Sequence, residues 1–229
     1  MRIVNKETIF FDLDHTLWDF EKNSALAFDT ILQKHNIPVN VPDFVTQYVP
    51  INLRYWKLYR DGNINQQELR YNRLKEVFDI LEYTVEDAMI NTLSQDYIKH
   101  LPLNNHLYDG AIEVLEYLAP KYDLHIITNG FQEVQDTKLK NSNIQHYFKT
   151  VTNSELAGCK KPHRCIFEFA LKLANAQKQT SIMIGDSIEA DIQGALDFGL
   201  DAIYFNEFNN ETPTNIKQVN HLLDLKNIL

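Results

Sequence analysis

The chain has 229 residues, 44% of them hydrophobic and 23% charged, which is the composition of an ordinary globular protein. Its net charge of −9 argues against a broad basic groove, so we expect no polymeric nucleic acid as a partner. The sequence has neither an apolar stretch near the roughly 20 residues of a membrane helix nor the apolar core of a signal peptide. These features predict a cytoplasmic protein without membrane contact, as a monomer or weak dimer.

Five short apolar runs, several of them β-branched, alternate with helical patterns along most of the chain. Polar residues follow the runs, which is typical of buried parallel strands whose carboxyl ends face a site. The runs are Thr8–Phe11, Leu124–Ile127, Phe148–Val151, Ser181–Ile184 and Ala202–Phe205. Apolar residues at helical spacing lie between them, over 107–118, 166–174 and 188–196, and again over 219–225. This alternation predicts an α/β fold with a doubly wound, Rossmann-like parallel sheet.

Residues 20–100 differ because every apolar pattern there has the helical period. Asn65 with Glu68, and Thr84 with Asp87, predict the capped starts of two of these helices. An all-helical block placed after the first strand predicts an inserted cap domain over 19–101, with the α/β core over 1–18 and 102–229. The alternative is a set of helices packed on one face of the core.

Candidate functional residues begin where the first predicted strand ends. Asp12 and Asp14 stand two residues apart there, and Thr16 follows. Two carboxylates in a partly desolvated site repel each other, and a divalent cation would let both ionise. By itself the pattern is equally typical of a loop with two solvated acids.

Further candidates follow the later strands. The segment Thr128–Gly130 offers a hydroxyl, an amide and a main-chain N–H that suit phosphate oxygens, although an ordinary turn has the same residues. A lysine of the pair Lys160–Lys161 would neutralise a phosphoryl group, and Asp186 is a hard oxygen ligand next to Gly185. All of these positions fall at one edge of the predicted sheet, where phosphoryl transfer would find its acids, hydroxyl, lysine and metal ligand.

In this order the motifs resemble those of the haloacid dehalogenase superfamily of phosphohydrolases, and the helical block resembles that family's cap. The four family motifs are matched by Asp12, Asp14 and Thr16, by Thr128, by Lys161, and by Gly185, Asp186 and Asp191. The segments 12–19 and 128–131 are similar to those of the pyrimidine 5′-nucleotidase subgroup. That similarity implies a nucleoside 5′-monophosphate, a small phosphate ester, as the substrate.

The resemblance implies a Mg²⁺-dependent phosphatase that forms an aspartyl-phosphate intermediate. Asp12 is the expected nucleophile and Asp14 the general acid and base. The expected Mg²⁺ ligands are Asp12, Asp186 and the main-chain carbonyl of Asp14. The expected phosphate ligands are Thr128, Asn129 and Lys161. Asp191 and Thr16 are expected to support these ligands from behind. Lys161 is favoured over Lys160 because it directly precedes the proline, as the family's lysine does.

Other functions stay open at this point. A sugar-phosphate or phosphoglycolate phosphatase and a phosphomutase share the motifs. A hydrolytic dehalogenase would not need Asp14 and Asp186, a P-type ATPase would need membrane segments, and a catalytically silent binding protein would not need the full set of acids.

The residues that would select the substrate cannot be separated from packing residues by pattern alone. Four aromatic residues would either stack on a base or fill the helical core: Trp18, Phe20, Trp56 and Tyr59. Three arginines would either bind a substrate anion or face solvent: Arg54, Arg70 and Arg73. The two cysteines, Cys159 and Cys165, are expected to be structural, with Cys165 on a helix, and they indicate neither a disulfide scaffold nor a zinc cluster.

Overall fold

The computed structural model describes residues 6–229, which divide into two compact units. One unit contains the residues up to Phe20 together with Asn105–Leu229, and the other contains Glu21–Asn104. The sequence predicts 19–101 for the helical part. None of the helices within 6–229 combines the length and apolarity that crossing a bilayer requires.

The α/β unit is built on a parallel sheet, and the predicted doubly wound Rossmann-like fold is confirmed. The described residues contribute six strands: β1 Thr8–Phe11, β2 Asp123–Thr128, β3 Phe148–Asn153, β4 Ser181–Gly185, β5 Asp201–Phe205 and β6 Gln218–Val219. Their order is β3-β2-β1-β4-β5-β6 and every adjacent pair is parallel. β1 is therefore central, with β2 and β4 on its two sides, and the chain reverses its direction of progress across the sheet there.

Helices of the α/β unit pack apolar residues against the strands. They are α5 Ala111–Leu118, α6 Gln132–Asn141, α7 Ser154–Ala157, α8 Arg164–Ala174 and α9 Gly194–Phe198, with a π-helical turn over Ile188–Gln193. Phe10 and Met183 of the central strands pack in one buried cluster with Ile166 and Phe167 of α8. This cluster fixes the strands whose carboxyl ends carry the candidate residues.

The other unit consists of α1 Phe20–Lys34, whose first residue belongs to the α/β unit, α2 Val41–Arg60, α3 Gln66–Ile80 and α4 Asp87–His100. Its core is aromatic: the Phe28 ring stacks on Tyr97 with centroids 4.5 Å apart, and Phe44 and Tyr48 pack against the same ring. Asn65 and Glu68 form the predicted reciprocal cap at the start of α3.

Some predicted elements are wrong. The start of α4 is not a capping box of Thr84 with Asp87, because Glu86 is the N-cap residue and no side chain caps the helix. The predicted closing helix is instead strand β6 followed by a 3₁₀ helix over Leu222–Asn227. Two-residue edge strands have too few residues to show a period of two, so the pattern cannot reveal them.

Candidate active site

The candidate residues of three motifs meet at one edge of the sheet because their strands are neighbours. Asp12 directly follows β1, Thr128 ends β2, and Asp186 directly follows β4. The N–H of Asp12 continues the strand ladder by donating to the Ile184 carbonyl at 2.9 Å. Parallel pairing thus brings residues that are far apart in sequence to adjacent positions.

Lys161 lies at the centre of the site and is 2% exposed. Its Nζ contacts Oδ1 of Asp12 at 2.7 Å and Oδ1 of Asp191 at 2.6 Å, and it donates to the Ile127 carbonyl at 2.8 Å. Burial opposes the charged form of this amine, but the carboxylates of Asp12 and Asp191 raise the pKa of Lys161 above its ordinary value. The lysine is therefore a fixed positive charge, held by two ion pairs and one hydrogen bond.

Carboxylates outnumber cations around this lysine. Oxygens of Asp12, Asp186 and Asp191 all lie within 4.8 Å of one another. Burial raises the pKa of Asp12 well above its ordinary value. The positive charge of Lys161 lowers this pKa, whereas the negative charges of Asp191 and Asp186 raise it further. Burial and the Asp191 charge raise the pKa of Asp186 to about 7. Three ionised carboxylates around one ammonium leave two negative charges uncompensated, which is the charge of one divalent cation.

Two of these acids are also held by hydrogen bonds from neighbouring loops. Thr16 Oγ1 donates to Oδ1 of Asp186 at 3.0 Å. The N–H of Ser187 donates to Oδ2 of Asp191 at 3.0 Å, and Asp191 is fully buried in the π-helical turn. Asp191 thus spends its two oxygens on Lys161 and Ser187, whereas Asp12 and Asp186 are the acids better placed to accept a metal ion.

Asp14 is held separately, by two residues of α6 that the sequence patterns did not single out. Gln135 Nε2 donates to Oδ2 of Asp14 at 2.9 Å, and Lys138 Nζ contacts Oδ1 at 2.5 Å. Lys138 is 2% exposed, and its ammonium lies 4.2 Å from the centre of the Trp18 ring. The sequence contains one hint of this role: Gln135 and Lys138 are three residues apart, so they share the face of α6 that also carries the apolar Val134.

The loop after β2 is committed to internal hydrogen bonds. Thr128 Oγ1 accepts from the Gly130 N–H at 3.0 Å and from Gln135 Nε2 at 2.8 Å. The Asn129 amide binds the main chain of Lys161 at both ends, because Nδ2 donates to the Lys161 carbonyl at 3.0 Å and Oδ1 accepts from its N–H at 2.8 Å. The Asn129 side chain therefore positions Lys161, and the Gly130 N–H is not available for phosphate.

Two glycines at the site make room for protein side chains. A Cβ at Gly130 would lie 2.2 Å from Nε2 of Gln135, and one at Gly185 would lie 2.3 Å from Oδ2 of Asp191. The close approach that Gly185 permits is therefore that of the Asp191 side chain.

For some of the residues whose role the sequence left open, the structure favours packing or ion pairing over contact with a substrate. Trp18 is fully buried and Phe20 is 6% exposed, so neither ring is available to stack on a base. Arg73 is 2% exposed, donates to Oδ1 of Asn52 at 2.9 Å and lies over the rings of Tyr48 and Tyr97, so it belongs to the helical core. Arg54 pairs with Glu76.

The two cysteines are bonded to each other. Cys159 and Cys165 form a disulfide, and His163 lies beside them, with Nδ1 2.9 Å from Sγ of Cys165. Cys165 is in the first turn of α8, as expected for a helical position. The sequence did not predict the disulfide, because a spacing of six residues does not reveal that the loop folds back on itself.

We predict that Gly130→Ala lowers the free energy of unfolding by about 1–3 kcal/mol. The added methyl must displace the Gln135 amide, which is buried and would lose its bonds to Asp14 and Thr128. Urea denaturation measures the change. In a Gln135→Ala background the same substitution should cost much less, and equal costs in both backgrounds would show that the two residues do not interact.

Comparison with known proteins gives relatives that span nearly the whole chain. The pyrimidine 5′-nucleotidase PynA of Streptococcus pneumoniae is 30% identical over 223 residues, which is 96% of this chain and 92% of PynA. The glyceraldehyde 3-phosphate phosphatase of Pyrococcus abyssi is 31% identical over 203 residues, 87% of this chain and 81% of that protein.

A solved structure and a family model also match most of the chain. The crystal structure of the HAD-hydrolase YfnB of Bacillus subtilis bound to magnesium has a TM-score of 0.87 and 29% identity, and the match covers 97% of this chain and 98% of YfnB. The model of the haloacid dehalogenase-like hydrolases matches residues 9–205, which include every motif described above. The chain therefore belongs to the haloacid dehalogenase-like hydrolase family.

Proposed function

We propose that this hydrolase is a Mg²⁺-dependent phosphatase that cleaves small phosphate monoesters through an aspartyl-phosphate intermediate. The observation that carries the proposal is the buried group of Asp12, Asp186 and Asp191 around the single ammonium of Lys161. A site with this excess of negative charge suits a divalent cation and, through it, an anionic ester.

The donor set fits magnesium. Carboxylate oxygens are the ligands that this ion prefers, and it is commonly held by one or two carboxylates. Asp12 and Asp186 would hold it, together with the main-chain carbonyl of Asp14, and the magnesium-bound YfnB structure supports the choice of ion. When bound, the ion neutralises charge on the phosphoryl oxygens and keeps the carboxylate of Asp12 ionised.

Asp12 is the proposed nucleophile. Its Oδ1 is fixed by Lys161 at 2.7 Å, so its direction of attack on phosphorus is set before the substrate arrives. Asp14, two residues later, would donate a proton to the leaving oxygen and then take one from the water that hydrolyses the acyl phosphate. Because Gln135 and Lys138 each hold one of its oxygens, Asp14 has a fixed orientation for both transfers.

Thr128 would donate a hydrogen bond to a phosphoryl oxygen. A hydroxyl has one donor and two acceptor positions, and the Gly130 N–H and the Gln135 amide fill the acceptor positions. The remaining O–H is thereby directed away from these two partners, toward an acceptor. This arrangement supports the proposed role of Thr128 as a donor to an anion.

Lys161 would act mainly through its charge and its hold on Asp12. Its ammonium is already paired with Asp12 and Asp191 and donates to the Ile127 carbonyl, so a direct bond to phosphate would compete with these contacts. The Asn129 amide keeps the main chain of the lysine in position throughout. Lys161 rather than Lys160 fits this role, because Lys161 is the one at the acids.

We expect Asp12→Asn to reduce hydrolysis of an aryl phosphate in Mg²⁺ by about 10³-fold or more, because an amide cannot form the intermediate. Steady-state rates measure this, with Asp136→Asn, an exposed change on α6, as the control. EDTA should abolish wild-type activity and Mg²⁺ restore it. Full activity in chelator, or activity of the Asp12→Asn variant within tenfold of wild type, would contradict the proposal.

Lys138→Met should lower kcat by roughly 10- to 100-fold with a small change in KM, because Lys138 contacts Asp14 and not the substrate position. Lys140→Met, an exposed lysine at the end of the same helix, is the matched control and should leave kcat unchanged. Asp14→Asn sets the rate expected when Asp14 is lost altogether. A Lys138→Met protein with wild-type kcat and an unchanged Tm would show that the orientation of Asp14 does not depend on this lysine.

For the substrate we propose a nucleoside 5′-monophosphate with a pyrimidine base. The resemblance of the segments around Asp12 and Thr128 to the nucleotidase subgroup supports this choice, as does the match to PynA over 96% of the chain. Trp56 and Tyr59 of the helical unit, the proposed cap, are half-buried with ring centroids 5.7 Å apart, and they remain the candidates for stacking on a base. The similarity to a glyceraldehyde 3-phosphate phosphatase keeps sugar phosphates as the second candidate.

Stacking of a base contributes roughly 1–3 kcal/mol, so we expect UMP, dUMP or dTMP to exceed AMP and the sugar phosphates by about tenfold in kcat/KM. The comparison is made at saturating Mg²⁺ with glyceraldehyde 3-phosphate, glucose 6-phosphate and phosphoglycolate in the same panel. A tenfold lead for any of these three would replace the nucleotide assignment and leave the phosphatase chemistry intact.

A further inference from the structure

The loop before α8 is closed by the disulfide between Cys159 and Cys165, whose Cα atoms are 6.4 Å apart. That separation lies within the usual range for a disulfide. Both cysteines are half-buried and His163 between them is exposed, so small molecules in solution can reach the bond. The chain contains no other cysteine, so any exchange within the protein is confined to this pair.

The closed loop contains the central lysine of the candidate active site. Lys161 lies between the two cysteines, and its ammonium contacts Asp12 and Asp191. Its main chain is bound by Asn129 from outside the loop. The disulfide thus closes a ring of seven residues around the residue that fixes the proposed nucleophile.

Cys165 has the surroundings of a reactive thiol. It lies in the first turn of α8, an eleven-residue helix, where the main-chain N–H groups stabilise a thiolate. Nδ1 of His163 accepts from the Cys165 N–H at 3.3 Å and lies 2.9 Å from its Sγ. Because Nδ1 is the acceptor in this contact, it is positioned to take the proton of the Cys165 thiol in the reduced protein.

We propose that Cys159 and Cys165 form a reversible thiol–disulfide site, and that the disulfide state holds the Lys161 loop in its working position. A small disulfide such as oxidised glutathione is the oxidant. The Cys165 thiolate attacks one of its sulfurs and expels one thiolate, and the Cys159 thiolate then attacks Sγ of Cys165 and expels the second. Two cysteine thiols become one disulfide, one small disulfide becomes two thiols, and two protons pass to the departing thiolates.

The oxidised form is the active one because the disulfide-bonded structure has Lys161 in contact with both acids. Reduction removes the closure and leaves the exposed segment 162–164 more conformations to occupy. Asn129 still binds the main chain of Lys161, so reduction should weaken the hold on Asp12 without abolishing it. The kinetic part of this inference rests on the proposed phosphatase function.

The test uses the full-length protein equilibrated in buffers of reduced and oxidised glutathione. The free-thiol content, measured by alkylation and mass spectrometry, should fall from two to zero per chain in the oxidised buffers. Hydrogen exchange of the peptide that covers 159–165 should be faster in the reduced protein. With an aryl phosphate and Mg²⁺, kcat/KM of the reduced protein should be about three- to tenfold lower than that of the oxidised protein.

Variants separate this site from general effects of thiol reagents. The double variant Cys159→Ser with Cys165→Ser should have the activity of the reduced wild type in every buffer, because it has no thiol that glutathione can modify. His163→Asn should slow disulfide formation several-fold without changing the activity of the fully oxidised protein. The thiol and exchange measurements need no turnover, so they remain decisive for the disulfide site even if the chain proves not to be a phosphatase.

Thiols that stay reduced in fully oxidised buffer would overturn the proposal. So would a disulfide that forms but changes neither the exchange of 159–165 nor kcat/KM. A double serine variant that still responds to glutathione would also overturn it, because the response would then come from a group other than the two cysteines.

Discussion

The arrangement of the site depends on the ion pairs of the buried Lys161 with Asp12 and Asp191. Neither partner is tolerable alone, since an unpaired buried charge costs about 3–5 kcal/mol. The lysine reaches this position from a loop, whereas Asp12 follows a strand and Asp191 lies in a helical turn. One charged group thereby joins three elements, and the excess of acid that surrounds it creates the need for a cation.

A second ion pair, between Lys138 and Asp14, organises the loop that follows β1. Lys138 and Gln135 project from α6 and take both oxygens of Asp14. Gln135 also bonds Thr128, so the residue proposed to move protons and the residue proposed to bind phosphate share one amide. Electrostatic preorganisation of this kind avoids the cost of rearranging groups during the reaction.

The strands and the polar residues at their ends could be predicted, because a buried parallel strand appears in the sequence as a short apolar run with a polar residue at its end. Asp12, Thr128 and Asp186 were found in this way. The supports were not, because Gln135 and Lys138 look like ordinary helix residues until tertiary contacts are known. Family resemblance selected Lys161 from its pair, and no local pattern could have shown that its loop is closed by a disulfide.

The bond pair between the Asn129 amide and the main chain of Lys161 joins two loops that are 32 residues apart. The Asn129 amide donates to the carbonyl and accepts from the N–H of the same residue, as a neighbouring strand does in a β-sheet. This pair of bonds requires a defined separation and orientation of the two loops. The loop after β2 and the loop before α8 therefore form one interlocked unit. An insertion or deletion in either loop would keep both hydrogen bonds only if it preserved this separation and orientation, so a change in one loop constrains the other.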